Sequence, residues 1–288
     1  MWGAARGIAF VVGLTALFLP AGAAATVTIG SNLGREPAFA ESCAPSCTLV
    51  PDTLPSDSVA PGGITSPVNG TVVAWRIRVG LNSNPTTFRV VGRRPGGFAT
   101  GVGTSATVTP PVNATTSFPA NLPISIGQSI GIDCCNAGGE DVLVQNNGTT
   151  ALWLPVLPNG GAPQEDFFSS PINHEVALNA DIEPTSAFTV SAVKFGKGGK
   201  TTVTTILPNA GTLTGGQVGT PNKKHLLVKP ASATAAVVNQ TIRLLLKPAK
   251  RARALLHEKT KLKAKLAVVF TPTGGSPSTQ ILRVKLKR

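Results

Sequence analysis

Hydrophobic residues recur at every second position along much of the chain. In "TVVAWRIRVG", Val73, Trp75, Ile77 and Val79 share one face while Arg76 and Arg78 take the other. In "EVALNADIE", Val176, Leu178, Ala180 and Ile182 point one way and Glu175, Asn179, Asp181 and Glu183 the other. A period of two belongs to half-buried β-strands, because successive side chains leave opposite faces of the pleat. "FRVVGR", "ATVTP", "SIGIDCC", "DVLVQN" and "ALWLPVL" carry the same kind of signal, and Gly, Pro or Asn lies between them. Eight or so short strands with long connections predict a jelly-roll-like β-sandwich over residues 26–185.

The second half repeats the pattern on a smaller scale. "AFTVSAVKFGKGGKTTVTTILP" reads as a hairpin whose "GKGG" tip offers the positive φ that a tight turn requires. "HLLVKP" and "TIRLLLKP" add strands, and "KLKAKLAVVF" and "TQILRVKLKR" form a last hairpin around "TPTGGSPS". "AKRARALLHEKT" is the one stretch expected to make a helical turn or two. Seven or so strands over residues 186–288 predict an immunoglobulin-like sandwich without the Cys and Trp of antibody domains. The fold class expected is therefore all-β: two β-sandwich domains, jelly-roll-like and then immunoglobulin-like.

The start of the chain breaks the period. One Arg precedes an unbroken apolar stretch from Ile8 to Leu19, and small residues fill Ala21 to Ala25. This predicts a secretory signal peptide over residues 1–25, with the mature chain starting near Thr26. An apolar core of about a dozen residues is short for a membrane span, which needs about 20. No later segment is apolar enough to cross a bilayer, so the mature chain is expected to be secreted, extracellular or bound to the cell envelope. With Gly 31 and Pro 24 in 288 residues but Cys only 4, it is a turn-rich globular chain and not a small disulfide scaffold.

Charge divides the chain where the strand patterns do. Residues 1–185 hold seven Lys or Arg against twelve Asp or Glu; residues 186–288 hold nineteen against one, Glu258. The change falls at "DIEPTSAF", which sets the expected boundary. Lys261, Lys263 and Lys265 alternate with Leu262, Ala264 and Leu266, and Arg283, Lys285 and Lys287 alternate with Leu282, Val284 and Leu286. Arg243 and Lys247 lie on another predicted strand. If these strands are neighbours, one sheet face carries rows of like charge. Such a face suits an anionic cell-wall polymer or an acidic glycan. A solvated face that resists aggregation is the competing reading, and export argues against a nucleic-acid partner.

Other chemistry is sparse. Cys43, Cys47, Cys134 and Cys135 are expected to form disulfides in an exported chain, with three pairings open. Spacing favours Cys43–Cys47, since residues i and i+4 of a turn meet the Cα separation of about 4.4–6.8 Å that a disulfide needs. The crossed pairings would tie the N-terminal loop to "SIGIDCC". Asp133, Glu140 and Asp141 are a weak candidate Ca²⁺ site at a hairpin tip. Glu165–Asp166, Glu140–Asp141 with Asp133 across from it, and Glu175, Asp181 and Glu183 would suit a glycosidase only if two of them faced one cleft. Trp75 reads as core. Trp153 is a candidate sugar-stacking ring if Leu152 and Leu154 point inward. His174, His225 and His257 lie in no catalytic or metal motif. No cofactor is implied.

In "CAPSCT", "ITSPVNGTVVAWRIR", "LPISIGQSIGID", "ALNADIEP" and "VVFTPTGGSPSTQILRVKLKR", the chain resembles a group of secreted actinobacterial proteins with a sandwich domain and a basic immunoglobulin-like tail. The resemblance implies export and a two-sandwich build, and it supplies no activity. The expected function is non-catalytic: a secreted envelope or matrix binding protein whose basic domain adsorbs to anionic polymer. The alternative is a lectin-like carbohydrate-binding module in the N-terminal sandwich, and a glycan-active enzyme ranks below it.

Overall fold

The computed structural model describes residues 26–136, 138–166, 173–219 and 225–288; the predicted signal peptide lies outside them. Among the described residues are twenty strands and one α-helix, all paired strands being antiparallel, and no helix is long and apolar enough to cross a membrane.

Thirteen strands form the first unit. They are β1 (Val27–Gly30), β2 (Phe39–Glu41), β3 (Cys47–Thr53), β4 (Gly70–Val79), β5 (Thr86–Arg93), β6 (Phe98–Val108) and β7 (Ala114–Ile124), followed by β8 (Ser129–Cys134), β9 (Glu140–Gln145), β10 (Thr149–Trp153), β11 (Gln164–Glu165), β12 (His174–Val176) and β13 (Leu178–Pro184). One sheet runs β1-β13-β4-β7, the second β10-β3-β8-β5-β6-β11, and a short third β12-β9-β2. With the third sheet (β2, β9 and β12) and the strands at the two ends of the second (β10 and β11) set aside, eight remain, and they pair first with last: β1 with β13, β3 with β8, β4 with β7 and β5 with β6. A long antiparallel ribbon wrapped into two sheets gives this nesting, which is the jelly-roll order. Its core is lined by Trp75, Phe88, Ile77, Ile132 and Leu178, all at most 1% exposed.

The inward positions read from the sequence hold in β12 and β13, where Val176, Leu178, Ala180 and Ile182 are all buried. It slips in β4. Val72 is buried and Val73 is not, because the register shifts between Val72 and Ala74. A bulge adds one unpaired residue, so residues before it change face. Glu175 and Asn179, expected outside, are also buried. Glu175 accepts hydrogen bonds from Ser31 Oγ (2.9 Å) and Asn146 Nδ2 (2.6 Å).

The second unit contains β14 (Thr189–Phe195), β15 (Thr201–Leu207), β16 (Gly211–Gln217), β17 (Ala231–Ala235), β18 (Gln240–Leu246), α1 (Lys250–Glu258), β19 (Lys261–Pro272) and β20 (Ser278–Lys287). Its sheets run β14-β15-β18 and β17-β16-β19-β20. This is an immunoglobulin-like sandwich of seven strands in which the fourth pairs with the third instead of the fifth. Val203, Leu213, Leu244, Leu266, Val268, Phe270 and Leu286 fill a core separate from the first. Helix α1 caps one end through Ala252 and Leu256.

Asn209, fully buried, joins the two units. Its Oδ1 accepts from the Asn69 N–H at 2.8 Å, and its Nδ2 donates to the carbonyls of Asn69 and Thr185, both at 2.9 Å. Asn209→Ala leaves these groups without a side-chain partner at the junction. We expect a loss of about 1–3 kcal/mol and separation of the two unfolding transitions, read by comparing tryptophan fluorescence with far-ultraviolet circular dichroism. Coincident, unshifted transitions would refute the clamp.

Candidate functional site

The β19–β20 hairpin carries the densest charge. Leu262, Ala264 and Leu266 on β19 and Leu282, Val284 and Leu286 on β20 turn to the core, which sends the intervening cations outward. Lys261, Lys263, Lys265, Arg283, Lys285 and Lys287 are all exposed. The register sets Lys261 opposite Lys287, Lys263 opposite Lys285 and Lys265 opposite Arg283. The result is three rungs of two cations. Cα atoms within a rung are about 5 Å apart, and successive rungs about 6.7 Å apart. β20 is the sheet edge, so the hairpin is open along its flank. A groove of about 520 Å³ is lined by Lys263, Ala264, Lys265, Arg283, Val284 and Lys285.

Arg243 and Lys247 do not join this face. β18 belongs to the other sheet, where Arg243 lies opposite Thr204 and is exposed while Ile242 and Leu244 are buried. The two sheets meet through their inner faces, so Arg243 points away from the six, and Lys247, exposed just past the end of β18, lies outside their ladder. The period of two is correct in all three strands, but strand adjacency is a property of the Greek-key crossover, which the local pattern does not contain.

The six cations have no ion-pair partner among the described residues, in contrast with the N-terminal arginines. Arg35 pairs with Asp57, Arg76 with Asp181, Arg78 with Glu36, Arg89 with Asp133 and Arg93 with Asp52. The acidic unit pairs five of its arginines with its own carboxylates; the basic unit has one acid in its sequence and leaves its hairpin charge open to solvent.

The remaining candidates are committed to structure. Trp153 is fully buried and donates from Nε1 to the Gln164 carbonyl at 3.2 Å, which corrects its reading as a sugar platform. Leu152 and Trp153 do leave opposite faces of β10: Leu152 enters the main core, and Trp153 joins Val50, Val91, Ala99, Ala151 and Leu157 in a second small core beneath the chain that follows β10. Asp133, Glu140 and Asp141 do not converge as a Ca²⁺ site. Asp133 binds the Arg89 guanidinium and accepts from Thr48 Oγ1; Asp141 Oδ2 accepts from the Leu81 and Asn82 N–H groups, each at 2.9 Å. Both Glu140 oxygens accept from Thr86 Oγ1 at 2.8 Å. Burial raises the Glu140 pKa to about 7, against opposing hydrogen bonds from Thr86 and the Asn84 backbone, and the nearby Asp141 charge adds to the rise.

Disulfides join Cys43 to Cys47 and Cys134 to Cys135. They lie side by side, since Cys47 faces Cys134 across β3 and β8 and the Cys43 N–H donates to the Cys135 carbonyl. The sulfurs of Cys134 and Cys135 and a Glu140 oxygen come together in one buried group, but disulfide sulfur offers no thiolate to a metal. An N-terminal groove of about 530 Å³ beside Arg94, Val102, Ile126 and Gln128 has no carboxylate in its lining, so it does not gather the paired acids a glycosidase needs. The His174 ring meets Phe39 tilted at 57°, with centroids 4.8 Å apart, and His225 Nδ1 is 2.9 Å from Arg251 Nη1.

Compared with family models, with curated proteins and with solved structures, the chain matches none. What defines it is its own geometry: an all-β chain of two sandwiches, the second carrying a ladder of unpaired cations.

Proposed function

We propose that the chain is a secreted, non-catalytic binding protein whose basic C-terminal sandwich adsorbs to an anionic polymer of the cell envelope or matrix and presents the N-terminal jelly roll. The observation that supports this reading is the pairing of like charges. Lys261–Lys287, Lys263–Lys285 and Lys265–Arg283 sit directly opposite on neighbouring strands, an arrangement that destabilises the fold. Oppositely charged pairs in such positions contribute roughly 0.2–1 kcal/mol each, and like pairs cost a similar amount. Screening over about 8 Å at physiological salt leaves most of that cost at cross-strand distance. Keeping solubility alone would not require the cations to face each other, whereas a bound polyanion relieves the repulsion.

The test is co-sedimentation of the chain from Thr26 onward with cell-wall material. Retention at low salt that is released at high salt is expected, and absence of retention at low salt refutes the proposal.

A further inference from the structure

The spacing of the rungs carries the proposal further. Successive rungs are separated by two residues, six backbone bonds, which rise about 6.7 Å along an extended strand. In a linear polyol phosphodiester such as poly(glycerol phosphate), phosphorus follows phosphorus after P–O, O–C, C–C, C–C, C–O and O–P. That is also six single bonds, so the extended repeat matches a dipeptide at roughly 7 Å. We propose that the ladder binds a polyol phosphodiester chain laid along β19 and β20, with one phosphate on each of the three rungs; this rests on the polyanion reading above. Each phosphodiester has two non-bridging oxygens, and each rung offers one cation on either side to meet them.

Three further features of the hairpin select among polyanions. First, the ladder is finite. Past Lys265–Arg283 the next outward rungs are Ala267–Ile281 and Val269–Thr279, without charge. Added phosphates beyond the third therefore meet no new cation. Second, the outward positions of the two strands hold Lys, Arg, Ala, Val, Ile and Thr and no aromatic ring. Single-stranded nucleic acid shares the six-bond repeat, but its bases would find nothing to stack on. Third, polyphosphate brings its phosphates two bonds apart, and hyaluronate places one carboxylate on each disaccharide. Neither repeat coincides with the rungs.

The experiment is fluorescence anisotropy on the chain from Thr26 onward, with labelled glycerol-phosphate oligomers of increasing length. Polyphosphate, hyaluronate and single-stranded DNA are compared at equal charge. Affinity is expected to climb up to three phosphates and then level off, with the glycerol-phosphate oligomer preferred about tenfold over the others at equal charge and salt. The middle-rung variant Lys263→Ser/Lys285→Ser is expected to weaken binding about tenfold. Arg243→Ser/Lys247→Ser changes the net charge equally outside the ladder and is expected to leave affinity within about twofold. All four positions are exposed, so both variants keep the core intact. Equal affinity for all polyanions overturns the spacing proposal and leaves the polyanion reading standing, as does equal loss in the two variants. Preference for DNA overturns the choice of polymer. Absence of binding to every polyanion at low salt overturns both readings.

Discussion

Asp133→Ala is expected to destabilise the N-terminal sandwich by about 3–5 kcal/mol, the range for removing one partner of a buried ion pair. Arg89 is 4% exposed and lies across the outer side of the second sheet. Its Nε donates to both Asp133 oxygens at 2.8 and 3.0 Å, its Nη2 makes a further bond to Oδ2, and its Nη1 reaches Asn159 Oδ1 at 2.9 Å. Thr48 Oγ1 donates to Asp133 at 2.6 Å and accepts from the Leu157 N–H at 3.0 Å. The pair thus fastens the chain around Leu157–Asn159 over the sheet, and that chain covers Trp153. Removing the carboxylate leaves a guanidinium buried without its counter-charge and Thr48 without its acceptor. Both described tryptophans, Trp75 and Trp153, belong to this sandwich, so their fluorescence during urea unfolding reports on it selectively. The double variant Arg89→Met/Asp133→Leu leaves no orphan charge and is expected to lose clearly less. If it loses as much as the single variant, packing and not charge governs the site. Gly101→Ala should fall between, because a Cβ there would stand 2.2 Å from Arg89 Nη1 and 2.8 Å from the Pro158 carbonyl.

Several features of this molecule are legible from local pattern, and others depend on what lies on the far side of a strand. Strands, faces and the cation alternation of β19 and β20 follow from a period of two, which is set by the pleat alone. The opposed rungs follow as well, because one hairpin loop fixes the register of its two strands. The split of Arg243 and Lys247 from the other six does not, since it depends on which sheet β18 joins. Trp153 shows a second limit. Alternation in "ALW" correctly sends Leu152 and Trp153 to opposite faces, yet both faces are covered, and the cover is a separate piece of chain. Glu175 fails for the same reason: a position that is outward from its strand is buried by Ser31 and Asn146 from other segments. β4 shows a third, in that one bulged residue exchanges Val73 for Val72 in the core.

The separation of charge between the sandwiches has an energetic consequence within each. In the first, acids are taken up by structure: Asp181 is opposed by its own burial, but hydrogen bonds from Arg76 and Thr28 outweigh this and hold its carboxyl below the usual value. In the second, nothing offsets the hairpin cations, so added salt or a bound polyanion is the source of relief.

Raising the pH from 5 to 8 is expected to destabilise the N-terminal sandwich, against the common trend for carboxylates, and Glu140 is the cause. Its ordinary pKa is 4.5 and its value in the folded chain is about 7. Between those values the folded state holds a proton that the unfolded state has released, so stability falls as pH rises. The contribution is complete below about 4.5 and gone above about 7, a span worth about 3 kcal/mol. Glu41, on the neighbouring β2, is also raised by burial, against a Ser42 backbone hydrogen bond and the His174 charge, and adds in the same direction. Asp181, being lowered, acts with the opposite sign and only in acid, where its stabilisation is lost as pH falls through its folded value. These three groups together favour mildly acidic solution for the folded state. Glu140→Gln keeps an acceptor for Thr86 and removes the titration, so its urea midpoint by tryptophan fluorescence should vary much less between pH 5 and 8, with the gain over the parent appearing at pH 8. A variant with the parent's full pH slope would show that Glu140 does not carry the buried proton. Because the group sits against the Cys134–Cys135 disulfide and Thr86, the same proton links the packing of this corner to the acidity of the surrounding medium.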